Sequence, residues 1–167
     1  MTVLPRRIEE RLRRESERIG VSEEELILEA LSKTLNEPLN PETRFEMYLK
    51  LSEKYLRDSE ELLAKKDYVQ ASGKAWGAAS QIVKALAARE GREIRSHASL
   101  WEYMDELAER LGDLMLRYLW RTANNLHQNF YENWMPAGEV ELAVKDVKTF
   151  VKKLKAILPQ KSDLSKL

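Results

Sequence analysis

Apolar side chains step through this sequence by threes and fours almost from end to end, and no stretch alternates as the half-buried face of a strand requires. The most regular case is Val140, Ala143, Val147, Val151, Leu154 and Leu158. That spacing places every apolar side chain on one stripe of a helix and leaves the opposite face polar. Chains patterned in this way bury their stripes by packing helix against helix. The fold class expected is all-α, an antiparallel bundle of about seven helices with an N-terminal helix pair.

Stop and start residues divide the pattern. A thin stripe of Ile8, Leu12 and Ile19 ends at Gly20, and Ser22 with Glu25 forms a capping box for the next helix, which carries Leu26, Ile27, Ala30, Leu31 and Leu35. Asn40-Pro41 is a cap followed by proline at the first helical position. Two long runs follow, Phe45 to Leu62 and Val69 to Leu86, the second closing at Gly91. Residues 92–97 read as a loop, with Ser99 and Glu102 as a further capping box. Leu100 to Leu111, Met115 to Phe130 and the stripe from Val140 complete the set. The organisation expected is a helix pair at 1–37, a bundle at 41–158 and a polar tail at 159–167. Trp76, Val83, Leu119, Phe130, Val147 and Val151 are expected in one core.

Composition removes several function classes. The 28 basic and 28 acidic residues balance, so no global field draws the chain to nucleic acid or anionic membrane. Cys is absent, which excludes a disulfide framework, a thiolate nucleophile and a Cys-ligated zinc. With His97 and His127 the only histidines and six glycines in all, neither a His-rich metal site nor a glycine-rich phosphate loop is expected. No apolar run approaches the roughly 20 residues of a membrane span. A cytoplasmic protein with no metal, no cofactor and no membrane contact is the expectation.

Candidate chemistry concentrates between Trp120 and Trp134, where Arg121, Asn124, Asn125, His127, Asn129 and Tyr131 cluster. A neutral imidazole accepts a proton near pH 7, and a guanidinium grips phosphate through two parallel bonds. His127 as base and Arg121 as phosphate stabiliser would form a catalytic pair, with Asn124 and Tyr131 as binding residues. On one helix, however, Arg121 and His127 sit about 120° apart. A second stretch, Asp67 to Gln81, crowds Gly73 and Gly77 with alanines. Each glycine inside a helix costs about 1 kcal/mol against alanine. Close helix–helix approach repays that cost, or else a ligand lies on the backbone with Gln70 and Lys74 at its rim.

Asp67-Tyr-Val-Gln-Ala-Ser, Ala78-Ala followed by Val83-Lys-Ala-Leu-Ala87, and Leu126-His with Asn129-Phe-Tyr-Glu132 resemble the archaeal PaREP family, over roughly residues 5 to 155. The architecture is also similar to the HEPN superfamily of helical bundles. That resemblance implies metal-independent ribonucleases, whose arginine and histidine stand four to six residues apart at a protomer interface, or nucleotide-binding partners of nucleotidyltransferases. Arg121 and His127 fit the spacing. In one toxin branch an aromatic follows the histidine by two residues, where this chain has Asn129. Two functions are thus in view: a self-associating module that binds a protein, nucleotide or RNA, and a HEPN-like ribonuclease in a toxin–antitoxin or defence setting. A homodimer is expected in either, since Leu26, Ile27 and Leu31 have little within the helix pair to cover them.

Overall fold

The computed structural model describes residues 3–158, which form seven α-helices with no strand among them. They are α1 Arg6–Ile19, α2 Glu23–Leu35, α3 Pro41–Ala64, α4 Tyr68–Arg89, α5 His97–Leu111, α6 Leu114–Glu132 and α7 Ala137–Ile157. The polar tail expected at 159–167 lies outside the described residues.

Local chemistry explains most boundaries. Ser22 accepts from the Glu25 amide while the Glu25 carboxylate accepts from the Ser22 amide, the reciprocal box that opens α2. Asn40 accepts from the Thr43 amide with Pro41 behind it. One start departs from expectation. α5 begins at His97, because Ser96 is the cap and Ser99 is its partner three residues on. His97 therefore stands on the first turn of a helix, not in a loop.

α4 is the axle, with α3, α5, α6 and α7 packed around it. Every residue from Ala78 to Ala88 is buried, and its alanines let neighbours close in on all sides. Gly73 and Gly77 serve that approach. A Cβ on Gly73 would lie 2.7 Å from Phe130 Cδ2, and one on Gly77 would lie 2.9 Å from Tyr55 Cδ2. Val83, Leu119, Val147 and Val151 are buried in the shared core, and Trp76 packs half-buried against it. Phe130 departs from the expected core: it is half-buried, its ring laid on the bare backbone at Gly73.

The N-terminal pair is held differently. No residue of α1 is buried, and the one buried residue of α2 is Glu25. Glu25 pairs with Lys84 of α4 at 3.1 Å, and the Tyr55 hydroxyl of α3 donates to Glu24 at 2.5 Å. Leu26 and Ile27 are half-buried, whereas Leu31 is exposed.

Candidate functional site

The two histidines meet. His97 opens α5 and His127 lies in the second half of α6, and their rings stack 25° from parallel with centroids 5.5 Å apart. The Trp76 indole of α4 stacks on His127 at 4.6 Å and approaches His97 at 5.5 Å. Tyr131, one turn beyond His127, meets it edge-on at 5.4 Å. Beneath them Trp120 contacts Trp76 and Trp101 and carries the stack down to Phe150. Indole, imidazole and phenol faces thus run from the buried core out to solvent, where His97 and Tyr131 are exposed.

Electrostatics follow from this placement. Burial pushes the His127 pKa below its usual 6.5, and the neighbouring His97 adds to the depression. His127 is therefore neutral at pH 7, a proton acceptor in form. On His97 the ring nitrogen Nε2 accepts a hydrogen bond from the Trp101 indole N–H at 3.1 Å. That bond fixes which nitrogen is bare and leaves Nδ1 facing away from Trp101. The Trp120 indole N–H is buried and finds no acceptor among the described residues.

The remaining candidates divide. Tyr131 and half-buried Asn124 flank His127 on α6 as expected. Arg121 is exposed, its guanidinium 5.9 Å from the Tyr118 ring centroid, on a different face from the histidine stack. Asn129 is structural: its Nδ2 donates to Ser72 Oγ at 2.9 Å and its Oδ1 accepts from the Met135 amide at 2.7 Å. Gln70 and Lys74 belong elsewhere. Lys74 lies about 160° around α4 from Trp76, with its ammonium 4.8 Å from the Tyr55 ring centroid and 4.0 Å from Asp58. Gln70 is exposed on the first turn of α4, where its backbone N–H donates to Asp67 Oδ1. The gaps at Gly73 and Gly77 are filled by Phe130 and Tyr55, so that surface is helix packing and not a ligand cradle.

Sequence reasoning set His97 aside, and the overlapping capping signals explain why. Ser96, Ser99 and Glu102 are spaced by three, so two boxes compete on paper. Among the described residues, no group of three or more His, Asp or Glu side chains is placed to hold a metal. No described helix is long and apolar enough to cross a membrane.

Compared with known proteins, the chain matches the model of the Archaeal PaREP1/PaREP8 family over residues 47–151. That span is narrower than the 5 to 155 expected, and it leaves α1 and α2 outside. No curated protein and no solved structure matches the chain.

Proposed function

The chain belongs to the archaeal PaREP1/PaREP8 family, whose matched segment contains the whole ring cluster, and from that premise we propose that it is a helical module binding the bases of single-stranded RNA or of nucleotides on that cluster. One observation carries the reading: the stack of Trp76, His127 and His97 ends at an exposed Tyr131 and an exposed imidazole. A base has a π-face that stacks on any such ring, at about 1–3 kcal/mol per base. On α6 beside the stack, half-buried Asn124 offers an amide able to read a base edge.

Tryptophan fluorescence tests this, because Trp76 sits in the stack. Titration with single-stranded RNA or nucleoside monophosphates should quench it, and Tyr131→Ala should weaken binding by about 5- to 160-fold, the equivalent of one stacked base. Absence of quenching, or equal affinity in the variant, rejects the site.

A second reading, a HEPN-like ribonuclease, draws on a specific observation: His127 is held neutral beside a second imidazole. His127 would take the ribose 2′-hydroxyl proton, and His97 or solvent would protonate the departing 5′-oxygen. The products would be a 2′,3′-cyclic phosphate and a free 5′-hydroxyl. Arg121 lies away from His127 within one chain, so its role in this reading requires a second copy to bring it to the phosphate. Incubating pure protein with total RNA, with and without chelator, separates the two readings. A ribonuclease cuts in EDTA and loses about 10²- to 10⁴-fold activity in His127→Ala; a binding module cuts in neither form.

A further inference from the structure

The bundle coheres by burying apolar side chains, but the α1–α2 arm does not attach in that way. α1 has no buried residue, and what α2 buries is the carboxylate of Glu25. A cleft of about 460 Å³ separates arm from bundle, bordered by Ile19, Leu26 and Leu39 on one side and Tyr48 and Ile94 on the other. Across it the attachment is polar. Glu25 meets Lys84 at 3.1 Å, with side chains only 7% and 10% exposed. The Lys84 ammonium also lies 5.6 Å from the Tyr48 ring centroid, Tyr55 donates to Glu24, and Lys54 stands 3.9 Å from Glu24.

Contacts of this kind are selective more than adhesive. A desolvated ion pair roughly breaks even against its hydration, whereas either charge left alone in the same place is costly. The face made by Tyr48, Tyr55 and Lys84 therefore rejects an apolar partner and accepts a helix start bearing two adjacent carboxylates. The chain's own α2 is one such start, and a second copy carries an identical one. The tether, residues 36–40, spans at most about 17 Å; Pro38 lies inside it and Pro41 follows directly. Exposed Ile8, Leu31 and Leu35 leave the arm with apolar surface that the single chain does not cover.

We propose that this face is a docking surface for the acidic turn of a second copy: two chains dimerise by exchanging α1–α2 arms, each Glu24-Glu25 turn seating on Tyr48, Tyr55 and Lys84 of the partner subunit. The exchange remakes each arm-to-bundle contact between the two chains and brings two arms with exposed Leu31 and Leu35 into one assembly. It is independent of the RNA reading.

Charge reversal by complementation tests it on the full chain. Glu25→Lys alone sets two ammonium groups together, and Lys84→Glu alone sets two carboxylates together. In an equimolar mixture, only arm exchange pairs both sites correctly. Wild type is expected to be a dimer by light scattering, each variant a monomer with an unprotected α2 in hydrogen exchange, and the mixture a one-to-one heterodimer. Dimerisation in the mixture should be at least 100-fold tighter than in either variant. A wild type that stays monomeric at high micromolar concentration, or a mixture that does not dimerise although both variants keep their helical spectra, overturns the proposal. Should either reversal unfold the bundle, Glu24→Lys with Lys54→Glu, at partly exposed positions, replaces it and is read in the same way.

Discussion

The imidazoles of His97 and His127 stack 5.5 Å apart, delivered by the first turn of one helix and the second half of another. At that separation a charge on His97 opposes a proton on His127, which adds to burial in holding the His127 pKa below its usual value. Trp76 closes the pair on the core side, stacked on His127 with centroids 4.6 Å apart.

Replacing His97 should release part of the depression on His127. Burial is the larger cause and the His97 charge the smaller. In His97→Asn the His127 titration, followed by imidazole proton shifts in NMR, should move up but remain below 6.5. A midpoint that does not move means the rings are not electrostatically coupled.

The same depression sets a pH dependence of stability. Unfolded His127 takes up a proton near 6.5 whereas folded His127 resists it. Below that pH the unfolded state binds more protons, so stability falls as pH drops from about 6.5 towards the folded value. His127→Phe removes this contribution, and its denaturant midpoint should change less between pH 7 and pH 5 than that of wild type.

Gly73→Ala and Gly77→Ala should both destabilise, against the usual gain from glycine to alanine in a helix. Their new methyl groups would fall 2.7 Å from Phe130 and 2.9 Å from Tyr55, inside contact distance. About 1–3 kcal/mol is expected for overpacking of this kind. Gly77→Ala should be the harder to absorb, because Tyr55 is tied by its hydroxyl to Glu24 while Phe130 borders solvent. Urea melts of the two variants check the order.

Glu25→Gln or Lys84→Met alone strands a buried charge and should cost about 3–5 kcal/mol at the arm. The double variant Glu25→Gln/Lys84→Met removes both charges and should recover most of that loss. Hydrogen exchange across α2 reads the effect where it acts. If the two single losses simply add in the double variant, the pair is not coupled.

Trp120→Phe should be mild. The smaller ring loses about 1 kcal/mol of packing, but the substitution also removes a buried N–H that has no acceptor. Trp120→Ala, by contrast, should cost about 3–5 kcal/mol. Thermal melts that rank the two variants equally would mean the indole nitrogen has a partner.

Much of the architecture was legible in periodicity and caps. Ser22 with Glu25, and Asn40 with Pro41, mark helix starts where the structure has them, since each is satisfied by atoms within four residues. The start of α5 was not legible, because Ser96 and Ser99 offer one box and Ser99 and Glu102 another, and only tertiary packing chooses. That three-residue difference hid His97, and with it the imidazole pair. Phe130 kept the period of a core residue, yet the partner that sets its depth is a glycine, which carries no hydropathy signal. Gln70 and Lys74 adjoin the small-residue stretch in sequence, yet helix geometry puts Lys74 across α4 from Trp76.

Two aromatic rings resting in the gaps at Gly73 and Gly77 act on α4 as keys in a shaft. Rotating the helix by one residue would bring a side chain under both rings, and sliding it by one turn would leave a glycine under only one of them. The central helix is thereby indexed in both angle and height against α6 and α3. The histidine-bearing start of α5 and the N-terminal arm hang from an axle that cannot turn, so displacement of either leaves the other's seat in place.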